Sequence, residues 1–192
     1  ESGKLFVRGG EANETQTFID GIRVAQPYIQ TTNNVPTRST FSPLLFKGTT
    51  FSTGGYSAEY GEALSSILVM NTIDEPDLEK TDLGFMSVGL SAGTIKKWKK
   101  DAFSINANYI NLAPYQALMP DNIHWIKPYE SIGGESVYRH SFDRGLFKFY
   151  ASFSGATFDV EQEDINFPNL LRNINNNTNF YTNSSYRGRF AS

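Results

Sequence analysis

The sequence contains no cysteine, which excludes a disulfide framework, a thiolate nucleophile and a cysteine-ligated zinc site. Histidine is nearly absent too. His124 and His140 are the only two, and neither belongs to a Glu-x-x-His or His-x-x-x-His spacing, so no metal site is expected. No run approaches the ~18–20 consecutive apolar residues of a membrane helix; the longest candidates, such as residues 65–70, are short. That rules out a helical span and leaves a barrel open, because barrel strands need only ~9–11 residues of alternating polarity. An excess of one charge is also missing. The net charge is −3, which gives no reason to expect nucleic acid as a partner. There is no GxGxxG, no P-loop, no Ser–His–Asp order and no carboxylate pair at catalytic spacing. The chain is therefore expected to be no enzyme and to need no cofactor.

What is present changes character near residues 74–82. Before that point the pattern is mixed. Residues 4–8 read as a strand ending at Gly9-Gly10, and residues 15–24 as two extended runs around the turn dipeptide Asp20-Gly21. Residues 26–40 are polar, with prolines at 27 and 36, and predict a loop. Ser42-Pro43 resembles an N-cap followed by proline at the first helical position, which predicts a short helix to Phe46 or Lys47. Residues 49–53 and 64–71 read as further strands around Gly54-Gly55.

After the charged linker Asp74-Glu75-Pro76-Asp77 come long alternating runs. Met86, Val88, Leu90 and Ala92 oppose Ser87, Gly89, Ser91 and Gly93. Phe103, Ile105, Ala107 and Tyr109 oppose Ser104, Asn106 and Asn108. Phe147, Phe149, Ala151 and Phe153 oppose Lys148, Tyr150, Ser152 and Ser154. Period two in three runs predicts antiparallel strands. A soluble sandwich alternates in the same way. Three features pull toward a barrel: polar faces of Ser, Asn and Gly rather than Lys and Glu, aromatics near strand ends (Trp98, Tyr109, Trp125, Tyr129), and connections alternating short and long. The short ones are 97–101 and 143–145; the long ones are 111–134 and 159–178. Strand parity then requires an additional upward strand near residues 82–87. The acidic run Asp159, Glu161, Glu163, Asp164 lacks the glycine and spacing of a calcium loop and reads as solvated. Lys96, Lys97, Lys99 and Lys100 around Trp98 read as a basic turn, facing solvent or anionic headgroups, and Asn175-Asn176-Asn177 as an Asn-rich loop.

Four motifs in order discriminate further. They are Leu5-Phe6-Val7-Arg8-Gly9-Gly10, Thr17-Phe18-Ile19-Asp20-Gly21-Ile22-Arg23-Val24, Gly54-Gly55-Tyr56-Ser57-Ala58-Glu59-Tyr60-Gly61, and Ser66-Ile67-Leu68-Val69-Met70-Asn71-Thr72. Together, over residues 4–72, they resemble the plug of TonB-dependent outer-membrane receptors of the Bacteroidota type. The resemblance implies a mixed α+β plug fragment followed by antiparallel β strands of an incomplete transmembrane β-barrel. Residues 1–76 would be the C-terminal part of the plug, and 77–192 the first barrel strands. The family's plug begins upstream and its barrel has more strands, so the chain is expected to be a fragment that does not fold stably in water alone.

The implied activity is active uptake of a ligand (siderophore, cobalamin, glycan or peptide) across the cell outer membrane. The implied partners are the TonB complex, engaged through an upstream segment, outer-membrane lipid, the small ligand and, as in some relatives, a lipoprotein lid. Arg8 is carried over as a plug–barrel clamp. Asn13, Glu14, Gln16, Gln26 and Tyr28 fall at the plug apex and are the candidate ligand contacts. The competing reading is a soluble β-sandwich binding or adhesion module, with Trp125 and Tyr129 stacking sugars. The two differ in which strand face is dry.

Overall fold

The structure is a computed structural model that describes residues 7, 9–10, 14–28, 41–119, 124–164 and 167–188. It is built mostly of antiparallel β-sheet. Among the described residues there is one short helix, α1 (Ala113–Leu118), and no helix is long and apolar enough to cross a membrane.

The smaller sheet contains β1 (Thr15–Ile19), β2 (Ile22–Val24), β3 (Phe46–Ser52) and β4 (Ser66–Thr72), in the order β2-β1-β4-β3. β1 and β2 form the expected hairpin. Asp20 (φ 49°) and Gly21 (φ 85°) both take positive φ, the backbone a two-residue hairpin turn needs and which Gly accepts without a Cβ penalty. β1 then runs parallel to β4, a pairing that closes 51 residues later in sequence and that local pattern does not announce.

The larger sheet is a six-stranded meander: β5 (Lys80–Met86), β6 (Gly89–Lys97), β7 (Asp101–Asn111), β8 (His124–Phe142), β9 (Gly145–Asp164) and β10 (Phe167–Gly188). Each strand pairs antiparallel with the next, and the sheet is open, with β5 and β10 at its edges. The break between β5 and β6 is the one strand parity demanded. The turns at 98–100 and 143–144 lie at one end, hereafter the turn end; α1 and its flanking residues lie at the other, the loop end. At the loop end β8–β10 overshoot the shorter strands, since Asn111, the last residue of β7, already pairs with Glu130.

Three expectations fail, the first being the long loop over 111–134, whose second half is strand, since β8 begins at His124 and residues 130–134 pair with β7. The Ser42-Pro43 signal opens a turn into β3 rather than a helix. Its backbone is claimed by tertiary partners: the Ser42 N–H donates to Glu135 Oε2 (2.6 Å), and the Leu45 carbonyl accepts from Ile73 N (2.9 Å). Leu45 is fully buried, which outweighs the local capping signal. Residues 159–178, expected as a loop with an Asn-rich stretch, instead continue β9 and β10. Asn173, Asn175 and Asn177 pair across to Val160, Phe158 and Ala156, so ladder hydrogen bonds decide the backbone and side-chain polarity only decides the face.

The small sheet packs on one face of the large one. Ile19, Val24, Leu45 and Met70 meet Val137 and Tyr150 in a single buried cluster, and Phe46 lies 6.1 Å from Tyr150, ring to ring. Contact is close at β6: a Cβ on Gly93 would sit 2.5 Å from Leu44 Cδ2. The inner face of the large sheet is thus the face of Ser104, Asn106, Glu135, Arg139, Lys148 and Tyr150. The opposite, outer face carries Leu83, Leu90, Ile105, Ile132, Phe149, Phe153 and Phe180, all exposed.

Candidate functional site

The interface between the two sheets gathers charges from distant parts of the chain. At its turn end, Lys148 Nζ donates to Asp20 Oδ1 (2.7 Å), Asp74 Oδ1 (2.8 Å) and the Thr72 carbonyl (3.2 Å). The Lys148 and Asp20 side chains are 4% and 1% exposed, so this pair is sealed from water. Asp20 is held further by Thr72, whose N–H (3.1 Å) and hydroxyl (2.6 Å) both donate to it. The hairpin turn that sets Asp20 at positive φ is what aims its carboxylate at the large sheet. Asp74 bridges outward to Lys47, and more loosely to Arg187 at 3.7 Å.

Beside them lies Arg139, 1% exposed, donating to the Ile73 carbonyl, Ser104 Oγ (2.8 Å) and Val137 O (3.4 Å). Its Nη2 has no hydrogen-bond partner among the described residues. A buried guanidinium costs several kcal/mol to desolvate, and the neighbouring Asp20 and Asp74 carboxylates offset that by direct attraction. Residues 72–74, where the small sheet hands the chain to the large one, are therefore bound from three sides.

Asp74 lies outside both sheets and is partly exposed. Burial alone raises its carboxyl, but hydrogen bonds and charge from Lys148 and Lys47 outweigh it and hold the group at about 2 rather than 3.8. The folded state therefore binds this proton less readily than the unfolded chain. The resulting stability is full above pH ~4 and disappears as pH falls toward 2. Denaturant midpoints recorded at pH 5, 3 and 2 are expected to fall less steeply for Asp74→Asn than for the parent; parallel declines would remove Asp74 as the source.

Four residues above Lys148 along β9 is Ser152, and around it the interface opens. The Glu135 carboxylate is fully engaged: Oε1 accepts from Tyr150 OH (2.6 Å) and Oε2 from Ser42 N. Next to it is a cavity of about 200 Å³, bounded by the end of β2 with Gln26, by Phe41, and by Ser152, Ser154, Asn179 and Tyr181 of the inner face.

The candidates named from sequence scatter across this arrangement. Arg8 and Asn13 lie outside the described residues. Gln16 is buried within β1, and the Glu14 backbone carbonyl accepts from the Leu64 and Ser65 N–H groups. Gln26 reaches the cavity and is exposed; Tyr28 is half-buried just beyond. The sugar-stacking platform of the sandwich reading does not form. Tyr129 is 6% exposed and stacked 6.2 Å from Phe158, and Trp125 packs edge-on against the same ring at 6.5 Å. Sequence reasoning did not single out Asp20, Asp74, Glu135, Arg139 or Lys148 as site residues. The one available signal was a set of charges placed on the small-polar face of otherwise alternating strands. Among the described residues no group of three His, Cys, Asp or Glu side chains could hold a metal ion.

No family model, curated protein or solved structure matches this chain.

Proposed function

We propose that the chain is part of a TonB-dependent outer-membrane receptor, with residues 1–76 in its plug and 77–192 forming the first strands of its barrel. One observation carries this reading: the polarity of the large sheet's outer face inverts along β9. From the turn end, outward positions are Phe147, Phe149, Ala151, Phe153 and Gly155; then come Thr157, Asp159 and Glu161. Asp159 is met there by Arg172 (2.9 and 2.6 Å), and Glu161 by His124 (2.9 Å). The inner face inverts in the opposite sense, from Lys148, Ser152 and Ser154 to Ala156, Phe158 and Val160, which are buried with Tyr129.

A water-facing sheet has no reason to end its apolar surface at one height. A sheet standing in a bilayer does. The span from 147 to 155 is ~26 Å along the strand at ~3.3 Å per residue, or ~20 Å of depth at a ~40° tilt. That is close to the ~25 Å apolar band of outer-membrane barrels. Trp98, Phe142 and Tyr186, all exposed at the turn end, fit the aromatic girdle on the periplasmic side.

In this reading the small sheet is the part of the plug that blocks the lumen, and the ionic cluster fastens it to the wall. The ligand enters from the loop end, where Gln26 lies, and the TonB complex pulls on a segment upstream. A lipoprotein lid would meet the overshooting strands. The test is depth measurement. Nitroxide labels at positions 105, 149 and 153 of the intact protein in outer-membrane lipid bilayers are expected to be relaxed by oxygen and shielded from a water-soluble nickel chelate. Labels at 159 and 161 should show the reverse. Equal chelate access at all five positions would sink the transporter reading and return the chain to the soluble β modules.

A further inference from the structure

We infer that the tips of the two tight turns at the turn end dock an anionic phospholipid of the periplasmic leaflet, its phosphate held between Lys99 and Arg144. This rests on the transporter reading and gives its lipid partner a place and a charge.

The two turns stand side by side. Lys100 Nζ donates across them to Asp143 Oδ1 (2.8 Å), and the Ser141 N–H donates to the Lys100 carbonyl (2.7 Å). Residues 96–101 and 140–145 carry five Lys and Arg side chains against two acids. Both acids are engaged, Asp143 by Lys100 and Asp101 by the Tyr138 hydroxyl (2.5 Å) and His140 Nδ1 (2.7 Å). Lys96 and Lys97 reach back to Glu79 (3.1 Å) and Glu75 (2.9 Å), ahead of β5. That leaves Lys99 and Arg144, one on each turn, exposed and in no ion pair among the described residues.

Their height fits a headgroup. The apolar band ends at the row of Asp101, His140 and Phe147. The tips lie within four residues of that row, under ~13 Å along the chain at ~3.3 Å per residue. Trp98, Phe142 and Tyr186 are exposed there, with Phe142 and Tyr186 edge to face at 6.0 Å. These rings offer an apolar bed for the glycerol and the first methylenes of a lipid.

Charge chooses among phospholipids. A phosphodiester is met by the Arg144 fork and by the compact Lys99 ammonium. A zwitterionic headgroup brings its own ammonium to the same tips and is disfavoured there, whereas phosphatidylglycerol brings none. Each basic side chain at an anionic surface contributes about fivefold in affinity (~1 kcal/mol). At the opposite rim the outward acids Glu130, Asp159 and Glu161 disfavour a phosphate, which places the preference at the turn end.

The test is photolabelling of the intact protein in phosphatidylcholine vesicles. The two probes are phosphatidylglycerol and phosphatidylcholine, each carrying a diazirine on one acyl chain near the glycerol, and adducts are mapped by peptide mass spectrometry. Residues 98–100 and 142–144 are expected to be labelled about fivefold or more in favour of the glycerol probe. Lys99→Gln with Arg144→Gln should bring that ratio below about twofold, and 1 M NaCl should do the same by screening. Lys127→Gln, at the loop end of β8, should leave the ratio unchanged and controls for folding. No adduct on either turn, equal labelling by the two probes, a ratio unmoved by the double variant or by salt, or an equal loss with Lys127→Gln would each overturn the proposal. The depth measurements on positions 105–161 are read independently. Probes that fail to discriminate while those labels face lipid discard the headgroup site alone, whereas water-facing labels discard the transporter itself.

Discussion

Replacing Lys148 with methionine is expected to destabilise the protein by ~3–5 kcal/mol, because it strands the Asp20 carboxylate in a dry interface. Among the described residues Asp20 would keep only the Thr72 N–H and hydroxyl as donors. The pair itself need not be strongly stabilising: the desolvation of two buried charges largely cancels their attraction. What costs is breaking it from one side. The double variant Lys148→Met with Asp20→Asn is therefore expected to recover much of the loss, since it removes both charges and leaves an amide that Thr72 can still bond. Urea midpoints in detergent micelles measure all three. A Lys148→Met loss under ~1 kcal/mol would mean that water reaches Asp20. The exposed Arg23–Glu62 pair, open to solvent on both sides, is the internal contrast, and its removal should move the midpoint little.

The expected clamp residue, Arg8, lies outside the described residues, and the ionic cluster is a separate contact between the two sheets. In the described residues the acids, Asp20 and Asp74, come from the small-sheet side, and the cations that cross to them, Lys148, Arg139 and Arg187, come from the large sheet, with Lys47 of β3 adding a pair to Asp74 from the small sheet itself. The placement has a mechanical consequence for a gated barrel. Asp74 sits on the chain itself, at the crossing from one sheet to the other, so in the proposed receptor it would fix the junction while the rest of a plug is pulled.

Legibility followed the range of the interactions. The Asp20-Gly21 hairpin was readable because a two-residue turn is decided by its own φ angles. The β5–β6 break and the tight turn before Gly145 were readable because alternation and parity are local rules. The turn at 43–45 was misread because Ser42 is bound by Glu135, 93 residues away. The strands through 159–178 were misread because Asn and acidic side chains argue for loop until a neighbouring strand supplies the ladder. The ionic cluster was invisible for the same reason at longer reach, Lys148 and Asp20 being 128 positions apart. In each miss a tertiary partner overruled a local propensity. What the sequence did hold was the exception to its own pattern: Lys148 on the Ser/Tyr face of β9 had to be paired or fail.

Ala151→Lys should be the most costly single substitution on the outer face, at ~2–4 kcal/mol, because position 151 lies midway along the apolar band from 147 to 155. Alanine is the informative site. Replacing Phe149 or Phe153 removes a ring that stands opposite Tyr138 or Phe180 in the cross-strand register, so charge and buried ring area change together. At 151 the cross-strand neighbours are Ser136 and Thr182, little is lost by removing a methyl, and the measured effect is the cost of the ammonium. A lysine at 155, at the loop-end limit of the band, should cost under ~1 kcal/mol, since its head reaches the interface. Water gives a different profile: on a solvated sheet face Ala151→Lys stays within ~0.5 kcal/mol of zero, and no gradient separates 151 from 155. Folding titrations into lipid vesicles for the two variants measure that gradient directly. A flat result would show that the exposed phenylalanines of β9 face water, and with it the polarity inversion at Gly155 would lose its meaning as a membrane boundary.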